Sequence, residues 1–451
     1  MQPPERGTTS AFLSVTTLFF AWGAITSLID PLVAAVKGIF NLSDLMAQLS
    51  TSAFFIAYGL VSLPAAGLVR RLGPANAILS ALAMMIIGCL TMLSAANMAI
   101  YALVLAGLFI LASGITILQV SANPLAAALG APERSHLRLT LSQAFNSFGT
   151  FLGPILGAHL FLNGLEVKQG ATVTPEARAD ALAGIDTAYF WICGLIGLLL
   201  AYFLFRRRLI QQVLVSRATA ANECVGGGGL LRDALSSPWT LVGGLAIFLY
   251  VGAEVAIGSQ MALFLNSDAV WGRSDLPFTM PLIGAIMGDD GQAGVSLQEA
   301  GKAVALYWGG AMIGRLGGTA LLMRISAARL LAFAAGIAMA LCLYVAQIGG
   351  VSAGFAALSI GLFNSVMFPL IFTLTLERSS ASAEATSGFL CMAIVGGAAI
   401  PPLVGLVSGI HGYGPAMIVP AVCYALLLLF ALVAGARPGQ AAHRVSLAAG
   451  H

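Results

Sequence analysis

The sequence predicts an all-α integral membrane protein with twelve transmembrane helices arranged six and six. Three observations predict it: an apolar composition, a recurrence of long apolar runs, and a basic, glycine-rich interruption near the middle of the chain. Of 451 residues, 59% are hydrophobic and 9% charged, and the mean hydropathy is +0.94. A soluble chain carries roughly 25% charged residues and could not hide this much apolar surface, so lipid is the solvent. In hydrocarbon every backbone N–H and C=O must be satisfied within the structure, which leaves helices or a closed barrel. The unbroken apolar runs select helices.

At about 20 apolar residues per crossing, spans are expected at 11–36, 49–69, 74–95, 98–130, 139–164, 185–205, 239–266, 298–323, 328–348, 352–376, 385–410 and 413–436. The first run has no small-residue cleavage pattern after a short core, so it is expected to be a span rather than a removable signal peptide. The fourth is long enough for a crossing plus a cytoplasmic extension, and Pro124 is expected to bend it. The six cysteines are scattered without paired spacing, which indicates neither disulfides nor a metal site. A formal charge of +3 is too small and too dispersed for nucleic acid.

The meaning of the charge lies in its sidedness. With an even number of spans and the N-terminus inside, and with Lys302 and Arg329 at the edges of their spans counted with the adjoining loops, fifteen of the 21 basic residues fall on the inner side, five on the outer, and Arg315 within a span. The positive-inside rule therefore places both termini in the cytoplasm, in a multi-pass protein of a bacterial inner membrane. The basic stretch from Arg206 to Asp233, with Gly226 to Gly229, reads as a flexible cytoplasmic linker. This divides the chain into a six-helix bundle at 1–208, a linker at 209–238, a second bundle at 239–437 and a cytoplasmic tail at 438–451. The halves echo each other. Span two ends Gly67-Leu-Val-Arg-Arg71-Leu and span eight Ala320-Leu-Leu-Met-Arg324-Ile, while Pro154-Ile-Leu-Gly157 in span five matches Pro402-Leu-Val-Gly405 in span eleven. Such parallel halves about a midplane site resemble the major facilitator superfamily, whose two bundles rock about the substrate.

Function must reside in polar groups at membrane depth, because a charge at the bilayer centre costs at least about 2.5–3.5 kcal/mol. Asp30 in span one, Glu254 in span seven and Arg315 in span eight qualify. Trp22, Thr26 and Asp30 recur every four residues, so one helix face carries an aromatic, a hydroxyl and a carboxyl. Such a face is expected to line a cavity; the alternative is that Asp30, followed by Pro31, ends the first helix near the outer surface. Gln119 and Asn123 share one face of span four, and Gln143 and Asn146 one face of span five. Any of these amides could instead be glue between helices. Trp308 and Arg315 share a face of span eight with Met312; Arg315 could alternatively pair with Glu254 or Asp30. Amides that both donate and accept, with an indole to cover an apolar C–H patch, suit a neutral polyhydroxylated ligand. A sugar phosphate would call for clustered basic residues.

The strings Ser113-Gly-Ile-Thr-Ile-Leu-Gln119-Val-Ser-Ala-Asn123-Pro124, Ser142-Gln143-Ala-Phe-Asn146-Ser-Phe-Gly149, Tyr250-Val-Gly-Ala-Glu254-Val-Ala-Ile-Gly258-Ser and Phe363-Asn364-Ser-Val-Met-Phe-Pro369 resemble the fucose:proton symporter family, most of all its glucose/galactose transporter branch. The resemblance runs from about Phe19 to Tyr424. It implies that Asp30 is the helix-one aspartate of proton handling, that Arg315 is the helix-eight arginine important for transport, and that Asn364 belongs to the substrate site. Gln119 stands where the fucose member has a glutamate. That departure argues against fucose itself and fits the glucose/galactose branch, for which Glu254 is also typical.

Asp30 and Glu254 are thus the expected cation-coupling carboxylates. Trp22, Thr26, Gln119, Asn123, Gln143, Asn146, Glu254, Trp308, Arg315 and Asn364 are the expected sugar site, with no cofactor and no resident metal. A proton is the expected coupling ion because desolvation disfavours a charged aspartate among apolar residues; sodium remains open. The chain is expected to act as a monomer. Competing readings are a drug:proton antiporter with the same architecture, a transport-dead nutrient sensor, which would need a larger signalling domain than the short tail, and a membrane enzyme, for which the five isolated histidines offer no catalytic constellation.

Overall fold

The computed structural model describes residues 4–129, 135–162, 165, 174–218, 227–272, 294–322 and 324–436. Arg134, Lys168, Cys224, Gly226, Arg273 and the expected tail at 438–451 lie outside the described residues. Ten helical stretches among the described residues are long and apolar enough to cross a membrane. Helices Ser135–Phe161 and Leu297–Leu321, 27 and 25 residues long, occupy the places of the fifth and eighth expected spans. These two carry Gln143 and Asn146, and Glu299, Lys302 and Arg315, and they pack against each other across the two halves. Their polarity is the price of facing a partner instead of lipid.

Several spans depart from single rods, and prolines give the reason. The first is Pro4–Ser27 followed by Ile29–Phe40; Pro31 has no N–H to donate to the carbonyl of Ser27, four residues back. The tenth is Val351–Asn364 and Met367–Arg378, with Pro369 just beyond the break, and the eleventh is Ala383–Met392, a 3₁₀ turn at Ala393–Val395, and Gly396–His411, which contains Pro401 and Pro402. The twelfth starts at Tyr413–Ala416 and resumes at Ile418–Ala436. Pro124, by contrast, stays within the fourth helix, Tyr101–Ala128. The sixth span is longer than expected, Pro175–Ala218, and the linker is not coil throughout, since Gly227–Ser236 is helical. Leu231 and Ala234, half-buried and buried, turn inward from that short helix. Its Asp233 accepts from the amide and hydroxyl of Ser382 at 3.0 and 2.6 Å, bonds that hold its carboxyl below the usual carboxylate range.

Within each half, small residues let backbones approach. Gly149, Gly153 and Gly157, each four apart in span five, face Phe20, Ala24, Ser27 and Pro31 of span one. Spans seven and eleven approach in the same way, with Gly396 of span eleven against Phe248 of span seven and Gly252 of span seven against Ile400 of span eleven.

The first part of span one, Pro4–Ser27, packs chiefly against spans four, five and six of its own half. Ile29–Phe40 packs also on span seven of the other half. The halves therefore converge at the end of the molecule opposite the linker.

A Cβ on Gly149 would strike the Phe20 carbonyl oxygen and come within 2.8 Å of the Ala24 nitrogen, whereas one on Gly194 meets nothing within 4 Å. Gly149→Ala should cost about 1–3 kcal/mol by overpacking and lower the thermal midpoint of the purified protein, while Gly194→Ala should leave it unchanged.

Candidate substrate and ion site

The break at Leu28 sets Asp30 in the first turn of Ile29–Phe40, 5% exposed, where the two halves meet. Trp308 of span eight donates its indole N–H to Asp30 Oδ2 at 2.6 Å. Gly258 of span seven leaves room for the contact, because a Cβ there would sit 3.2 Å from the Trp308 ring and 3.4 Å from Asp30 Oδ1. Asp30 is thus neither a helix-end residue in water nor a lone buried charge: it accepts a hydrogen bond from the opposite half.

Glu254 is half-buried in span seven and accepts from the hydroxyl of Tyr250, one turn earlier, at 2.7 Å. Its main-chain carbonyl accepts from Tyr307 at 3.1 Å. Tyr307 in turn accepts from the Asn364 amide at 2.6 Å, and the Asn364 oxygen accepts from Tyr424 at 2.7 Å. This chain of bonds runs from span seven through spans eight and ten to span twelve, and it fixes the backbone that carries Glu254 and Trp308. Asn364 is fully enclosed, with both ends of its amide used, so in this structure it supports the site from behind instead of lining it. Arg315 donates to Ser147 of span five at 2.7 Å, and Glu254 lies within reach of its charge.

The amides divide by environment. Gln119 donates to the hydroxyl of Tyr58 in span two at 3.0 Å. Asn123, one turn on, has a buried Oδ1 with no hydrogen-bond partner, an acceptor that a ligand donor could satisfy. Asn146 donates to the main-chain carbonyl of Phe19 at 3.0 Å and lies against Gly23, so it joins spans one and five. Gln143 is half-buried one turn before Ser147. Trp22 is 4% exposed and packs on Phe19 with ring centroids 4.1 Å apart, and Thr26 donates to the Trp22 carbonyl at 2.7 Å.

The structure thus joins Asp30 to Trp308 across the halves and, through Tyr307, ties the neighbouring residue to the main chain of Glu254; Arg315 meets span five at Ser147, and Gln119 meets span two at Tyr58. Sequence reasoning missed Tyr58, Ser147, Tyr307 and Tyr424. Tyr250 stood four residues before Glu254, a spacing that could have found it; Tyr58 and Gln119 are 61 residues apart, and no local pattern links them. Among the described residues there is no cluster of His, Cys, Asp and Glu that could hold a metal ion.

Two helical halves joined where a buried carboxylate of one, Asp30, accepts from an indole of the other, Trp308, are the architecture of a membrane transporter, and the family relationship makes the chain a transporter rather than an enzyme. The chain belongs to the major facilitator superfamily, whose family model matches residues 11–387. It is 38% identical over 423 residues to the glucose/galactose transporter of Brucella abortus, covering 94% of this chain and 93% of that one. It is 33% identical to the putative glucose/galactose transporter of Helicobacter pylori over 95% of this chain and 97% of that one. To the L-fucose-proton symporter of Escherichia coli it is 31% identical, over 93% and 92%. Crystal structures of the fucose:proton symporter, one described as outward in conformation, superpose with a TM-score of 0.64 at 26% identity, covering 95% of this chain and 99% of that one.

Because Asn146 holds two helices together and the Asn123 Oδ1 has no partner among the described residues, their truncations should separate. Asn146→Ala should lower thermal stability by about 0.5–2 kcal/mol. Asn123→Ala should leave the sugar-free protein as stable as wild type while weakening sugar affinity roughly 5- to 150-fold. Thermal melts and calorimetry on the same preparations check both.

Proposed function

We propose that the protein imports a neutral monosaccharide of the glucose/galactose type by symport with a proton, and that Asp30 is the coupling carboxylate. The observation that carries this reading is the position of Asp30: a nearly enclosed carboxylate of one half, hydrogen-bonded to Trp308 of the other. A group in that position feels every change in how the halves meet, so its proton and the state of the carrier are linked. The relatives support the substrate class, since the most similar ones described above are named glucose/galactose transporters, and the fucose relatives are named proton symporters. The charge bias of the loops supports cytoplasmic termini and the bacterial relatives support an inner membrane, which makes the end opposite the linker the outer one. One chain encloses the site, as a monomeric carrier requires.

The chemistry follows from the donors and acceptors. A pyranose hydroxyl can donate to Asn123 Oδ1, Arg315 can donate to a sugar oxygen, and the Trp308 ring can cover a C–H face. Glu254, held by Tyr250, adds an acceptor for hydroxyls and shares the electrostatic surroundings of Asp30. Loading the proton and the sugar from outside allows the halves to close over both. Release inside returns Asp30 to the charged form that the indole N–H, a donor only, can satisfy.

Asp30→Asn imitates the neutral carboxyl permanently. Labelled sugar should still bind and exchange by counterflow in proteoliposomes, but uphill accumulation should collapse to equilibration. For wild type, 100 mV is worth about 2.3 kcal/mol per charge, roughly a 50-fold concentration ratio for one coupled cation. A mutant that concentrates sugar as wild type does would move the coupling role to Glu254; wild-type uptake that follows sodium and ignores pH gradients would replace the proton by sodium.

A further inference from the structure

At the end opposite the linker, span two begins Asp44-Leu-Met-Ala-Gln48-Leu-Ser-Thr-Ser52, placing Asp44, Gln48 and Ser52 four residues apart on one helix face. Each of the three reaches the other half of the molecule. Asp44 accepts from Tyr413 at 3.0 Å and from Ser408 at 3.1 Å. The Gln48 oxygen accepts from Ser259 at 3.0 Å, and Ser52 donates to the main-chain carbonyl of Ala398 at 2.6 Å. That carbonyl is available because Pro402, four residues on, has no N–H to offer it.

The top rung is reinforced from within its own half. Lys37 forms an ion pair with Asp44 and donates to the Tyr413 hydroxyl at 2.6 Å. The link between spans one and two is a tight corner, with Leu42 N–H bonded to the Lys37 carbonyl at 3.0 Å, so ion pair and corner move as one body. Side chains of Lys37 and Asp44 are only 16% and 9% exposed. Glycine makes the approach possible: a Cβ on Gly405 would lie 2.8 Å from the Asp44 carbonyl oxygen and 3.0 Å from Gln48 Cγ.

We propose that the Asp44, Gln48 and Ser52 face of span two is a polar zipper that closes the mouth of the transport path opposite the linker, with the Lys37–Asp44–Tyr413 triad as its latch. None of these residues touches the candidate sugar and ion site, and the zipper acts whichever ion drives transport. Hydrogen bonds between membrane helices are individually weak because alternative partners exist in the membrane-unfolded state, so three rungs hold a mouth shut without locking it. A lone, partly exposed ion pair contributes little; here each charge has further partners in the opposite half, so parting the halves leaves Asp44 and Lys37 short of bonds together. The rungs therefore break as a unit.

The test is a mutant cycle read by distance. With native cysteines replaced, spin labels at Met98 and Ile410, both exposed, report the mouth in the full chain in proteoliposomes. Asp44→Ala on one side and Tyr413→Phe with Ser408→Ala on the other should each shift the closed-to-open ratio toward the long distance, roughly tenfold or more. Combining them should add almost nothing further, because each already breaks the same rung. Counterflow retained by the Tyr413→Phe, Ser408→Ala variant shows that it is folded. Distances unchanged from wild type in both variants, or fully additive shifts in the combination, would overturn the proposal.

Discussion

Hydrocarbon supplies no hydrogen-bonding partner, and that constraint shapes every feature of this protein. A polar atom in a span must be satisfied by its own helix, by a neighbour, or by whatever fills a cavity. Most hydroxyls take the first course, as Thr116 and Ser121 do by bonding carbonyls four residues back. Proline breaks that self-sufficiency locally, and the structure uses the result: the helix break before Pro31 places Asp30 at a helix start, and the carbonyl freed by Pro402 receives Ser52 from the other half. The fifth and eighth spans, the most polar, face each other across the halves for the same reason.

From this follows the arrangement of the site. The C-terminal half is braced internally by Tyr424, Asn364 and Tyr307, which fix the main chain beside Glu254. Trp308, adjacent to Tyr307 in sequence, extends from that brace to Asp30. One dipeptide therefore both belongs to the brace of the C-terminal half and contacts the carboxylate of the N-terminal half. On span four, Gln119 is held by Tyr58 while the buried Asn123 Oδ1 has no partner among the described residues, which separates a positioned amide from one with a free acceptor.

Much of this was legible in the sequence because the membrane penalises charge so heavily. Asp30, Glu254 and Arg315 stood out as charges in apolar runs, and the helix periods of span four and span five put each pair of amides on one face. Which partner each face met was not legible. Asn146 looks like Asn123 in sequence, yet one bonds the Phe19 carbonyl and the other has no partner, a difference set by the closeness of spans one and five at Gly23 and Gly149. Asn364 carried a family resemblance to the substrate site but lies one layer behind it. Lys37 entered only in the count of outer-loop basic residues and Asp44 not at all; both bond to Tyr413, more than 360 positions away. Contacts of such range depend on how the two halves dock, and no window of sequence contains them.

The central claim is that sugar and proton move together through a site organised on Asp30. Its most direct test is the pH of lightly buffered medium around proteoliposomes holding wild-type protein, followed as sugar is added with no imposed gradient. The account predicts that glucose or galactose produces a prompt alkalinisation proportional to the labelled sugar taken up, abolished by a protonophore. Sugar entry at the same rate with no change in external pH would contradict it.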